Sequence, residues 1–225
     1  MTTGLVHIID DDPGIRNAVS RLLRAHGNQV ETYSSAEDFL GRGTAVVPAC
    51  IVLDLQMPGI GGLELQRFLI RNRETLPIIF LSGHGSVFTS VSAMKRGAVD
   101  FLTKPFDEQM LISAVDLALD RAQRAYARRD AMEKDRTAFG RLTQRERQVC
   151  LKVAEGLLNK QIGSEFGTTE KTIKAQRGKA MQKLGIQSVA DLVRLVERLH
   201  SSGQLTSHPI AHLEDPTQRH PARTL

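Results

Sequence analysis

The chain has 225 residues, enough for one large domain or two smaller ones that each bury a core. Hydrophobic residues make up 41% and charged residues 24%, which excludes wholesale disorder. No apolar run approaches the roughly 18–20 residues that span a bilayer. The net charge of +5 is unevenly spread. Residues 1–120 carry 10 Lys and Arg against 14 Asp and Glu, and residues 121–225 carry 20 against 11. Two modules with different partners are expected, the basic one facing a polyanion. The two cysteines, Cys50 and Cys150, supply neither a disulfide framework nor a zinc ligand set, which fits a reducing cytoplasm. The start MTTGLVHIID is not a secretory signal, because a basic stretch and a long apolar run are both missing.

In chain order, Leu5–Ile9 reads as a buried strand. Pro13 to about His26 reads as a helix with Ile15, Ala18, Val19, Leu22 and Leu23 on one face, and Asp12 before Pro13 suits its N-cap. Gln29–Tyr33 is a weaker strand, and Ser35 opens a short helix with Phe39 and Leu40. Strands follow at 50–53, 78–81 and 100–103, with helices from Leu63 to about Arg71 and from Val87 to Arg96 between them. Five strands alternating with helices predict an α/β fold with a doubly wound parallel sheet. From Asp107 the pattern is helical and holds no Gly or Pro from Glu108 until Gly140; a helix to about Lys134 is expected.

A second, all-α unit follows. Thr143 and Glu146 form a capping-box pattern opening a helix to about Glu155. Helices are expected over Asn159–Phe166, from a cap at Thr168 or Thr169 to about Leu184, and over Ser188–Leu199, with Gly156, Gly167 and Gly185 at the turns. Residues 201–225 are rich in Ser, Pro, His and Arg and read as a disordered tail. His208 and His212 are spaced four apart, but Pro209 argues against a helix that would fix them as ligands.

Function in an open parallel sheet sits beyond the C-terminal ends of the strands. Those ends carry Asp10, Asp11 and Asp12, then Asp54, then Ser82, then Lys104-Pro105. Converging acids repel, and a hard divalent cation such as Mg²⁺ resolves the repulsion. A carboxylate in such a site can attack phosphorus and form an acyl phosphate, with a lysine and a hydroxyl on the phosphoryl oxygens. In the basic unit, helical spacing puts Ile173, Ala180 and Leu184 on a core stripe, with Lys171, Lys174, Ala175, Gly178 and Gln182 on an outward arc. A core stripe beside a basic arc suits a helix that enters a DNA major groove.

The stretches Ile9-Asp10-Asp11-Asp12-Pro13, Leu53-Asp54-Leu55-Gln56-Met57-Pro58-Gly59, Leu81-Ser82-Gly83-His84-Gly85 and Asp100-Phe101-Leu102-Thr103-Lys104-Pro105-Phe106 resemble a response-regulator receiver domain. The stretches 142–149, 156–162, 172–174 and 181–185 resemble the LuxR-type helix-turn-helix. The combination resembles the FixJ/NarL family of two-component response regulators. The resemblance implies a receiver at 1–120, a helical linker at 121–140 continuing its last helix and a DNA-binding domain at 141–200, and it leaves the tail at 201–225 unaccounted for. It implies Asp54 as phosphoacceptor, Mg²⁺ held by Asp11, Asp12, Asp54 and the backbone carbonyl of Gln56, and Lys104 and Ser82 at the phosphoryl group. Phe101 is implied as a switch residue that turns inward, and Lys104-Pro105 as a cis peptide. The implied recognition helix is 169–184, with DNA contacts from Asn159, Lys160, Thr169, Lys171, Thr172, Lys174, Ala175, Arg177 and Gly178.

The expected function is thus a cytoplasmic transcription regulator. A sensor histidine kinase would phosphorylate it, it would form a homodimer on phosphorylation, and it would bind double-stranded DNA without a membrane anchor. It would be no enzyme beyond its own phosphorylation and dephosphorylation. A magnesium-dependent phosphohydrolase is the alternative; against it, Gln56 and not a second acid stands two residues after Asp54. A protein-binding adaptor is a third class, favoured only if the helical unit lacks DNA affinity.

Overall fold

The computed structural model describes residues 4–42, 47–83 and 87–201. His84 and residues 202–225, with His208 and His212, lie outside the described residues, whereas Ser201, expected to begin the tail, is helical. The chain divides into two units between Asp130 and Ala131, inside the stretch expected to link them.

In the first unit β1 (Leu5–Ile9), β2 (Gln29–Tyr33), β3 (Ala49–Asp54), β4 (Ile78–Ser82) and β5 (Asp100–Thr103) form a parallel sheet in the order β2-β1-β3-β4-β5. The helices are α1 (Pro13–Ala25), α2 (Ala36–Leu40), α3 (Gly62–Arg71), α4 (Val87–Lys95) and α5 (Glu108–Gly140). Strand periodicity divides the apolar residues between two cores. Val6, Ile8, Cys50, Val52, Ile79 and Leu81 pack with Val19 and Leu23 of α1 and Leu111, Val115 and Leu119 of α5. Ile9, Ile51, Leu53 and Phe80 pack with Phe39 of α2, Leu65 and Leu69 of α3 and Ala93 of α4. Both faces are covered, so the central strands read as unbroken apolar runs.

The helix α5 runs to Gly140, six residues beyond the end expected at Lys134. No Gly or Pro precedes Gly140 within the helix, so nothing in the sequence stops it at Lys134. The last turn is also anchored, because Phe139 is buried in the core of the second unit.

One polar residue interrupts the second apolar layer. His7, in the middle of β1, is 1% exposed and lies between Tyr33 and Phe39, with ring centroids 5.7 and 5.4 Å away. Burial, with the nearby Arg42 charge adding to it against Glu31, pushes its pKa down to about 4. A histidine that stays neutral when folded and protonates near 6.5 when unfolded subtracts stability as pH falls below about 6.5. This loss should amount to about 2 kcal/mol between pH 7 and pH 5. Urea denaturation of wild type and His7→Phe at the two pH values checks it: the variant should lack this part of the acid loss. An equal acid loss in both would refute it.

The second unit holds the end of α5 with α6 (Gln144–Ala154), α7 (Asn159–Glu165), α8 (Glu170–Leu184) and α9 (Val189–Ser201). Its core includes Val149, Ile162, Ile173, Ala180, Leu192 and Leu195. The expected capping box is present: Glu146 N donates to Thr143 Oγ1 (3.2 Å) and Thr143 N to Glu146 Oε2 (2.8 Å). Gly185 ends α8 in the left-handed conformation (φ 67°). The turn between α7 and α8 depends on Gly163, where a Cβ would stand 2.9 Å from the Thr168 carbonyl oxygen. Among the described residues no helix is long and apolar enough to cross a membrane.

Candidate phosphorylation site and nucleic-acid interface

The strand register brings the polar strand ends together. Asp10 directly follows β1, Asp54 closes β3, Ser82 closes β4 and Lys104 follows β5. The Lys104 ammonium donates to both Asp10 Oδ2 (2.6 Å) and Asp54 Oδ1 (2.7 Å). The other Asp54 oxygen accepts from the Gln56 backbone N–H (2.9 Å). Close packing fixes this strand end: α3 begins against it at Gly62, where any Cβ would collide with the Asp54 carbonyl oxygen. The β3–α3 loop is tied from the other side by Glu37, which accepts from Ile60 N (3.0 Å).

Asp10 and Asp54 are buried, and Lys104 is partly so. Burial raises the Asp54 pKa above the ordinary carboxylate value, outweighing the hydrogen bond and charge of Lys104. Burial pulls Lys104 down, but its bonds to Asp10 and Asp54 and their charges together leave it raised. The Asp54 carboxylate thus lies in a desolvated, charge-neutralised site, the environment that suits a nucleophile for phosphorus. Ser82 Oγ is fully buried and has no hydrogen-bond partner among the described residues. Phe101 is half-buried on β5, its ring 6.2 Å from that of Phe80. Lys104-Pro105 is cis.

The acids at the end of β1 are arranged differently from the expectation. Asp12 is exposed, and its Oδ1 caps α1 by accepting from Gly14 N (2.7 Å) and Ile15 N (3.3 Å). Asp11 is also exposed, and Asp10 is the acid that meets Asp54 through Lys104. The backbone N–H of Asp12 donates to Asp10 Oδ1 (2.9 Å) and Arg16 donates to the Asp10 carbonyl (2.7 Å), which fixes Asp10 in place. The sequence signal was present: Asp10 follows the strand without a gap, and Pro13 marks Asp12 as the cap. Among the described residues no three His, Cys, Asp or Glu side chains are grouped to hold a metal.

In the second unit, Ile173 and Ala180 are buried and Leu184 is half-buried, while Lys171, Lys174, Ala175, Gly178 and Gln182 are exposed. Thr169 caps α8: its Oγ1 accepts from Thr172 N (3.2 Å) and lies 2.9 Å from Thr172 Oγ1. Two of the five cations of α8 have internal partners. Arg177 donates to Asn159 Oδ1 (3.3 Å), and Lys183 donates to Glu146 Oε2 (2.7 Å). Lys160 is exposed on α7. Nothing fills the space around a Cβ built on Gly178.

Residues 6–116 match the response regulator receiver domain, and residues 141–196 match the luxR family of bacterial regulatory proteins. The response regulator protein TmoT of Ectopseudomonas mendocina is 40% identical over 198 residues, covering 88% of this chain and 90% of its own. The transcriptional regulatory protein FixJ of Azorhizobium caulinodans is 40% identical over 190 residues, covering 84% and 90%. The structure of the response regulator StyR is similar with a TM-score of 0.78 and 40% identity, over 88% of this chain and all of that one. A parallel five-stranded receiver with a strand-end acid site, joined to a helical LuxR-type unit, defines a response regulator. The chain belongs to the response regulators of the FixJ and TodT type, phosphorylation-controlled DNA-binding regulators of transcription.

Proposed function

We propose that this protein receives a phosphoryl group on Asp54 from a sensor histidine kinase and then binds promoter DNA as a homodimer. The carrying observation is the Asp54 carboxylate, held by Lys104 beside the buried, unpartnered Ser82 hydroxyl. An Asp54 oxygen attacks phosphorus, the P–N bond to the kinase histidine breaks, and an acyl phosphate forms. Lys104 pairs with the phosphoryl oxygens, and Ser82 donates to one of them. The move of Ser82 frees space into which Phe101 turns.

The donor set at the strand ends is all oxygen, which fits Mg²⁺ in kind. Asp10, Asp11, Asp54 and the Gln56 carbonyl would hold the ion, which supplies charge neutralisation for the transferring phosphoryl group. Asp10 takes the place expected of Asp12, because the oxygen of Asp12 is committed to the helix cap. Catalysis is confined to the chain's own phosphorylation and dephosphorylation. A kinase donor and a DNA target place the protein in the cytoplasm.

The exposed apolar Val91 and Met94 of α4 support the homodimer. A two-fold dimer places two α8 helices about 34 Å apart on DNA. Asn159, Lys160, Thr169, Lys171, Thr172, Lys174, Ala175, Arg177 and Gly178 form the proposed DNA-facing set, with Thr169 and Thr172 also setting the start of α8. The test is genome-wide DNA occupancy together with promoter affinity measured with Mg²⁺ and a small phosphodonor. Phosphorylation should raise affinity and produce dimers in wild type and do neither in Asp54→Asn. An equal gain in Asp54→Asn would refute the assignment. Lys174→Ala should weaken DNA binding by about 1–3 kcal/mol if this lysine reads a base edge. An unchanged isotherm at fixed salt across several sequences would remove Lys174 from the interface.

A further inference from the structure

At the opposite end of the sheet from Asp54, where β4 begins, the first unit contains a cavity of about 310 Å³. That size lies at the lower end of small-molecule sites. Three arginines line it from three different elements: Arg73 after α3, Arg96 after α4 and Arg121 of α5. None of the three has an acidic or hydrogen-bond partner for its guanidinium among the described residues. The single acid in the lining is Glu74, whose carboxylate is already held by Arg42 (2.7 Å). Three exposed arginines thus line a cavity whose one acid is already paired.

A backbone feature marks the place. Arg73 occupies the left-handed position that ends α3 (φ 57°), where a helix normally carries Gly or Asn. A side chain retained there despite backbone strain points to a use for it. Gln66, 1% exposed, closes the floor of the lining, its amide nitrogen donating to Ala93 O (3.2 Å).

We infer that this cavity binds a small phosphomonoester, an apolar body carrying one phosphate. A phosphate dianion presents three acceptor oxygens to the guanidinium forks and offsets the charge better than a single carboxylate. Leu69, Leu76, Pro77, Ile78 and Val99 line the rest of the cavity and supply apolar contact for the body of the ester. Such a site is a second input to the receiver, separate from Asp54.

The test titrates phenyl phosphate into the full chain by calorimetry, with inorganic phosphate and phenol as separate arms. Phenyl phosphate should bind with a Kd of about 1 mM or tighter, at least tenfold tighter than either fragment. The double variant Arg96→Ala, Arg121→Ala should lose at least tenfold in that affinity. The same variant should still take up phosphoryl at Asp54 at the wild-type rate, which verifies that it is folded. Binding that persists in the double variant, or that is matched by inorganic phosphate alone, would overturn the inference. Tighter binding of an aspartate-rich peptide would overturn it as well and assign the arginines to an acidic protein partner.

Discussion

Asp10→Asn is expected to slow magnesium-dependent phosphorylation of Asp54 by about a hundredfold or more, whereas Asp12→Ala should leave it within about twofold. The two aspartates are neighbours in sequence, but the structure gives them different roles. Asp10 is buried and shares the Lys104 ammonium with Asp54. Asp12 is exposed and caps α1. Loss of a cap costs about 1 kcal/mol of stability and does not disturb the reacting groups. Intact-mass measurement of phosphoryl uptake from a small phosphodonor, at several Mg²⁺ concentrations, separates the two. A loss of magnesium dependence in Asp12→Ala, with Asp10→Asn unaffected, would return the metal site to the pair Asp11 and Asp12.

Lys104→Met should destabilise the fold by about 3 kcal/mol at pH 7, the low end for breaking a buried ion pair, because the lysine is partly exposed. Asp10 and Asp54 would remain buried with their shared cation gone. Two facing carboxylates raise each other's pKa, and a carboxylate with a raised folded pKa destabilises the fold above that value. As pH falls, the folded state takes up a proton first, so the gap between variant and wild type should shrink from pH 7 to pH 5. At alkaline pH the sign belongs to Lys104 itself. Its raised folded pKa means that its contribution is complete below about 10.5 and is lost as pH rises through the folded value. Urea denaturation across pH checks both arms. A penalty that grows on acidification would mean that Lys104 does not relieve carboxylate repulsion.

The five strands were legible because buried parallel strands announce themselves as short apolar runs, and the strand ends then supplied Asp54, Ser82 and Lys104. The choice among Asp10, Asp11 and Asp12 was not settled by composition, since all three follow β1. It is set by which residue comes first after the strand and by the cap that Pro13 requires. The end of α5 lies six residues past the expected Lys134, because its anchor, Phe139, acts through tertiary burial that leaves no local pattern. Gly62 and Gly163 were not singled out, because a close approach of two backbones leaves no local pattern. The internal partner of Lys183 was equally hidden: Glu146 lies 37 residues earlier. The arginines around the cavity where β4 begins were illegible for the same reason, being separated in sequence and gathered only by the fold.

The pairing of Lys183 with Glu146 bears on how the protein responds to salt. Each lysine or arginine that meets a DNA phosphate releases condensed counterions and steepens the decline of log K with log salt by about 0.9. Counted from sequence, the five cations of α8 would give this helix a share of about 4.5 in that slope. With Lys183 paired to Glu146, the four cations Lys171, Lys174, Arg177 and Lys179 remain to displace ions, Arg177 because its partner Asn159 is neutral, and the share falls to about 3.6. With α8 facing DNA as proposed, the hold is expected to depend less on ionic strength than the charge of the helix suggests, with more of the selectivity left to shape and to base edges.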